Sequence, residues 1–207
     1  MIRPFLVSLC GLLAAARPLS AAPVEHSLGQ GLIYVRVHQL PADLPANPEG
    51  RAPACVVDLR YVEADPATAT ALGAWLKFRA GPRAPVFVLV NGKTAPALLL
   101  TLRAHDPRAG IVLISAAAGL ARPDLTVPAT AEAERKAYDA FETGTALTTL
   151  TTDYPDKVRI DEASLNHERP AEGEPDNGDA PQPTQVIDAA LQRAIHLHRT
   201  LVALKRL

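Results

Sequence analysis

The chain has 207 residues, of which 48% are hydrophobic and 21% are charged, and its 21 basic and 22 acidic side chains give a net charge of −1. Because both signs are mixed along the chain, the sequence shows no basic stretch of the kind with which nucleic-acid-binding domains contact phosphates. The length suits one domain with its own hydrophobic core.

The first 22 residues predict a cleaved secretory signal. Arg3 supplies the positive start, and residues 5–16 form an apolar run that is too short to cross a bilayer as a helix. Ser20 and Ala22 then place small side chains at the −3 and −1 positions of a signal-peptidase site. We therefore expect export to the periplasm or the extracellular space, with no membrane span after signal removal. An uncleaved membrane anchor is the alternative.

Cys55 is the only cysteine after the predicted cleavage site, so no internal disulfide can form. It begins an apolar run, and neither His nor Lys lies close in sequence to lower its pKa. The pattern favours a small buried apolar residue over a reactive thiol.

Three apolar runs separated by helix-length segments predict a parallel sheet. The runs are residues 54–59, 85–90 and 110–114, and the segments between them predict helices at 66–78 and 95–104. Strands that are apolar throughout are typical of a parallel sheet covered on both faces, with right-handed β-α-β connections. In residues 31–38, β-branched side chains recur at every second position, which predicts an earlier strand. A proline-rich loop follows it.

The rest of the chain divides into three parts. Residues 129–141 predict a helix with early Glu132 and Glu134, whereas the threonine-rich residues 143–152 give no clear prediction. Residues 168–183 are acidic, contain four prolines and predict a disordered loop between a domain at 23–167 and a final helix. The apolar stripe of that helix, within 184–207, packs either on the parent domain or on a partner.

Ligand-binding and active sites in such a fold usually lie beyond the carboxyl ends of the strands. Residues 91–94, N-G-K-T, follow a strand and precede a helix, as a phosphate-binding loop does. However, Phe87 stands where that loop requires a glycine, and Pro96 removes an amide from the start of the helix. The segment therefore does not predict a nucleotide site.

Ser115 is the best placed of the three serines that follow the cleavage site, because it ends the third strand. It is not in a G-x-S-x-G elbow, and nothing in the spacing requires His105 to act as its base. His196 and His198 point to different faces of the last helix, and no Cys or carboxylate cluster completes a metal site. We therefore expect neither a metal nor another cofactor.

Three segments in order resemble the C-terminal-processing, or tail-specific, serine proteases of the crotonase/Clp-protease superfamily. They are V-V-D-L-R at 56–60, V-F-V-L-V-N-G-K-T-A at 86–95 and I-V-L-I at 111–114. The family has a strand ending D-L-R, then V-L-V-N followed by T-A-S-A, then a strand leading to a G-K pair, and the spacing matches over about residues 54–119. The last helix is similar to the closing helix of the family. The resemblance implies a crotonase-like α/β domain with helices on both faces of the sheet.

The chain departs from the family at every catalytic position. Pro96 stands at the position of the nucleophilic serine, and Leu120 stands near that of the lysine base. Residues 61–65 lack the glycine of the loop that helps to form the oxyanion hole. The departures predict a chain without protease activity.

The hypothesis is a binding or scaffold module of this fold. The resemblance implies a groove near Arg60, Tyr61, Thr94 and Pro96 that takes extended peptides or protein chain ends. The resemblance also implies a homo-oligomer, since members of the superfamily often assemble through helices. Two alternatives stay open: a serine hydrolase with relocated chemistry at Ser115, and an oligomerisation module that acts through the C-terminal helix.

Overall fold

The structure is a computed structural model that describes residues 24–46, 52–106, 109–116, 123–152 and 185–207. The predicted signal at 1–22, the acidic loop at 168–183 and Leu120 lie outside the described residues.

A mostly parallel sheet of six strands forms the centre of the fold, so the α/β class predicted from the sequence is confirmed. The strands lie side by side in chain order, with β1 antiparallel to β2 and every later neighbour parallel. Their bounds are β1 Glu25–Gly29, β2 Leu32–Arg36, β3 Ala54–Asp58, β4 Val86–Val90, β5 Ile111–Ala116 and β6 Leu125–Val127.

Five helices in the described residues accompany the sheet. They are α1 Pro66–Arg79, α2 Pro96–Arg103, α3 Ala131–Glu142, α4 Leu147–Thr151 and α5 Ala189–Ala203. Prolines occupy the first turns of α1 and α2, where no intrahelical partner is lost. Among the described helices, none has the length and apolar character that crossing a bilayer requires.

The sheet is covered on both faces because successive side chains on each strand point to opposite sides. Val57 and Val88 pack with α1 and α2, whereas Val56 and Phe87 pack with α5. The last helix therefore packs on the parent sheet. Cys55 is fully buried, and burial raises the pKa of its thiol to about 12, as befits a small core residue.

Three short elements were not predicted. Strand β1 carries no β-branched residue and β6 has only three residues, so neither produces a recognisable pattern. Helix α4 falls in the threonine-rich segment, where helix propensity is low. Tertiary contacts with the sheet and with α5 decide the conformation of these elements.

Candidate functional site

A buried ion pair lies at the carboxyl edge of the sheet. Asp58 ends β3, and Arg60 follows it in the turn, with 0% and 1% of their surfaces exposed. Arg60 Nε and Nη2 donate to Asp58 Oδ1 and Oδ2 at 2.9 and 2.6 Å. Burial alone would raise the pKa of Asp58, but the guanidinium and its hydrogen bonds hold that pKa below its ordinary value. The D-L-R motif thus folds into a closed bidentate pair.

Asp188 completes the network from the far end of the chain. Arg60 Nη1 and Nη2 donate to Asp188 Oδ1 and Oδ2 at 3.1 and 2.7 Å, across 128 positions of sequence. The same carboxylate is the N-cap of α5, where it accepts a hydrogen bond from Leu191 N at 3.0 Å. Tyr34 also donates its hydroxyl to Asp58 Oδ2 at 2.8 Å. One guanidinium therefore ties β3 to the start of the last helix.

A third carboxylate, that of Glu134 on α3, faces the same guanidinium at longer range. Its Oε1 lies 4.0 Å from Arg60 Nη1 and has no hydrogen-bond partner, and its Oε2 accepts from Asn91 Nδ2 at 3.4 Å. Burial is the main cause that raises the pKa of Glu134 above its ordinary value. Asp188 and Asp58 add to that rise, whereas Arg60 and Asn91 oppose it.

An open cavity of about 700 Å³ adjoins this network on the outside. It is lined by Tyr61, Glu63, Asn91, Gly92, Lys93, Ala131, Glu134 and Arg135. The lining residues come from the turns after β3 and β4 and from α3, so the cavity lies at the carboxyl edge where α/β folds bind ligands.

Tyr61 forms one wall of the cavity in a constrained conformation. Its φ of 64° lies in the left-handed region, which non-glycine residues seldom adopt. Its ring packs edge-on against Tyr138 at 4.7 Å, and the Arg135 guanidinium lies 4.7 Å from its centroid. Burial, with Glu134 second, raises the pKa of Tyr61, so the phenol stays a neutral hydrogen-bond donor at neutral pH.

The two turns that line the cavity are tied to each other. Thr94 Oγ1 donates to the Leu59 carbonyl at 3.0 Å and accepts from Asn91 N at 3.0 Å. Ala95 N donates to the Val62 carbonyl at 3.0 Å. Since both turns belong to the motifs that carry the family resemblance, those motifs form one local structure.

The four residues predicted to form a groove have different environments. Tyr61 lines the cavity, whereas Arg60 and Thr94 are buried behind it with internal partners. Pro96 is exposed in the first turn of α2 and is not among the lining residues. The structure thus favours a positioning role for Arg60 and Thr94, and the binding role of all four stays a prediction.

Ser115, the alternative nucleophile, lies in the core and bonds to the backbone. Ser115 is fully buried, and its Oγ donates to the Ala116 carbonyl at 3.0 Å. The His105 ring contacts the Leu102 carbonyl and lies 3.6 Å from the Asp124 carboxylate. In the described part of the chain, no hydrogen bond joins Ser115 to His105, and no group of three or more His, Cys, Asp or Glu is arranged to hold a metal ion.

Sequence reasoning missed the roles of Asp188 and Glu134 in the network. Asp188 carries the local signal of a helix cap, since it directly precedes the final helix, but that signal does not reveal its pairing with Arg60. In the sequence, Glu134 predicts only a favourable charge near the start of a helix. The chain matches no family model and no curated protein.

Replacing Glu134 with glutamine should flatten the pH dependence of stability. The pKa of Glu134 is raised in the folded chain. The folded chain therefore holds the proton of this carboxyl group at pH values above about 4.3, where the unfolded chain begins to release it. This contribution to stability is complete below about pH 4.3 and is lost as the pH rises through the folded pKa. Urea denaturation at a series of pH values should therefore show wild type losing stability relative to E134Q across that window.

The control for this experiment is E132Q, which changes an exposed glutamate on the same helix. It should keep the wild-type dependence on pH. Parallel curves for wild type and E134Q would contradict the assignment of the raised pKa to Glu134.

Proposed function

We propose that this chain is an exported, crotonase-like relative of the tail-specific proteases that no longer cuts peptides and instead binds extended peptides or protein chain ends. The observation that carries the proposal is the cavity at the carboxyl edge. Its walls offer an aromatic ring, two cations, two carboxylates and an amide, but no Ser, Thr, Cys or His among the described residues. Such a lining can hold a ligand, but it offers no serine, threonine or cysteine as a nucleophile and no histidine as a base.

The relation to the crotonase superfamily is supported by how the resembling motifs are arranged. D-L-R begins at the last residue of β3, and N-G-K-T-A directly follows β4. The hydrogen bond from Thr94 to Leu59 joins the two motifs at one edge of parallel strands. Pro96 begins α2 at the position where the resemblance places the serine, and a proline side chain has no nucleophile. This arrangement supports a retained fold with lost protease chemistry.

Binding of a chain end is supported by the charges in the cavity. Lys93 is exposed, and no carboxylate among the described residues pairs with its ammonium group, which leaves that cation for a terminal carboxylate. Tyr61 and Arg135, whose guanidinium lies 4.7 Å from the ring centroid, line the same cavity and offer contact surface for the preceding peptide groups. Asn91 is held by Glu134 and keeps the turn in place.

Fluorescence anisotropy with labelled extended peptides tests the proposal. Each peptide is compared with a free and with an amidated carboxyl end. The wild-type chain should prefer the free end, and K93A should weaken binding of that form by about tenfold or more, as loss of one charge-assisted contact predicts. Y61A should weaken both forms, because the aromatic surface contacts the peptide rather than its end.

The matched control is K77A, which removes an exposed lysine from α1 and should leave binding unchanged. Mass spectrometry of the incubated peptides should show intact chains. Cleaved peptides, or equal binding by wild type and K93A, would overturn the proposal.

A further inference from the structure

Two of the four charged residues that line the cavity at the carboxyl edge already have charged partners. Arg135 donates from Nε to Asp139 Oδ2 at 2.8 Å. Glu134 is buried, lies 4.0 Å from Arg60 Nη1 and accepts a hydrogen bond from Asn91. The charges of Arg135 and Glu134 are therefore met largely within the protein.

The other two charges are those of Lys93 and Glu63. Both residues are exposed and line the cavity, so a ligand can reach their charged ends. In the part of the chain that the structure describes, neither side chain forms an ion pair or a hydrogen bond, and the two do not pair with each other. One cation and one carboxylate in the same open cavity are thus left for a ligand.

A backbone hydrogen bond holds these two residues near each other. Glu63 directly follows Val62, whose carbonyl accepts from Ala95 N at 3.0 Å. Ala95 lies two positions after Lys93, in the turn that follows β4. Because β3 and β4 are neighbours and adjacent strands lie about 4.8 Å apart, a single residue of an extended ligand can contact both side chains.

A chain end with a basic last residue carries the matching charges. Its terminal carboxylate suits the Lys93 ammonium, and its lysine or arginine side chain places a cation a few bonds away for the Glu63 carboxylate. We propose that the cavity selects chain ends whose last residue is basic, with Lys93 contacting the terminal carboxylate and Glu63 contacting the side chain. This specificity rests on the proposed function, because both concern the same cavity.

The same charges disfavour other chain ends. An acidic last side chain would face the Glu63 carboxylate, with Glu134 behind it, and like charges repel each other. An apolar last side chain would meet neither attraction nor repulsion from Glu63. We therefore expect affinity to fall from basic to apolar to acidic last residues.

Three peptides that differ only in the last residue test this order by fluorescence anisotropy. They end in lysine, in norleucine, which has the same carbon chain without the ammonium group, and in glutamate, each with a free carboxyl end. Wild type should bind the lysine end about fivefold more tightly than the norleucine end, as one partly exposed ion pair predicts. The difference should shrink at high salt, because salt screens exposed charges.

Variants of Glu63 identify the contact for the last side chain. E63Q should bind the lysine end no better than the norleucine end and should keep the wild-type affinity for norleucine. E63K should prefer the glutamate end, because the sign of the charge is reversed. E132Q and E132K are the matched controls, since Glu132 is exposed on α3 but does not line this cavity. Both should keep the wild-type order.

The results separate this specificity from the proposed function. If wild type binds the lysine and norleucine ends equally, or if E63Q keeps the preference for lysine, the specificity is wrong, while peptide binding that depends on Lys93 still stands. If none of the three peptides binds, both proposals are overturned.

Discussion

Replacing Arg60 with methionine should lower the free energy of unfolding by about 3–5 kcal/mol, the range expected when one partner of a buried ion pair is removed. Asp58 and Asp188 are both buried and both receive two hydrogen bonds from this guanidinium. Methionine fills similar space but donates nothing, so two carboxylates lose their cation inside the fold. The loss should appear as a lower urea midpoint in circular dichroism at pH 7.

Two further variants test whether the loss of the buried ion pairs causes the fall in stability. R60K keeps the charge, but one ammonium cannot form two bidentate pairs, so its stability should lie between those of wild type and R60M. The triple variant D58N/R60M/D188N removes the unpaired charges and should recover part of the loss. R135M is the surface control, because Arg135 pairs with Asp139 in an exposed position, and it should change stability much less than R60M.

The difference between wild type and R60M should also shrink in acid. Since the folded pKa of Asp58 is lowered, its contribution to wild-type stability is present above the ordinary aspartate pKa and is lost as the pH falls through the folded pKa. In R60M the Asp58 carboxylate has already lost its pairing with the guanidinium. Acid therefore removes less stability from R60M than from wild type. An R60M chain as stable as wild type at pH 7 would show that the network is not what stabilises this edge.

Replacing Asp188 with alanine should have an effect of similar size, about 3–5 kcal/mol. The change leaves Arg60 with Asp58 as its one bidentate partner among the described residues, and it also removes the N-cap of α5. Asparagine at this position keeps an oxygen that can accept from Leu191 N but loses the charge. D188N should therefore retain about 1 kcal/mol more stability than D188A, which is the usual worth of an N-cap.

The matched control is Asp65, which caps α1 by accepting from Thr68 N but lies exposed and has no buried cation beside it. D65A removes a cap alone and should cost much less than D188A. Equal losses for D65A and D188A in urea denaturation would mean that the pairing of Asp188 with Arg60 adds nothing to stability.

The candidate site could be predicted only in part. The position of D-L-R at the end of an apolar strand, and of N-G-K-T at the end of the next, placed Tyr61 and Lys93 at the edge where the cavity opens. The partners of Arg60 could not be inferred in the same way, because Asp188 is separated from it by 128 positions and Glu134 lies on a helix between them. Pairing at such distances leaves no periodic or spacing signal in a single chain.

The sequence by itself determined the α/β class, the parallel strands β3 to β5 with helices α1 and α2 between them, and the burial of Cys55. Those features follow from local patterns, because apolar runs, prolines and turns act on neighbouring residues. Only the tertiary structure decided that one guanidinium joins Asp58 to Asp188 and that Tyr61 faces an open cavity. Electrostatic partners and cavities arise where distant segments meet, and their energies depend on burial that the chain acquires only on folding.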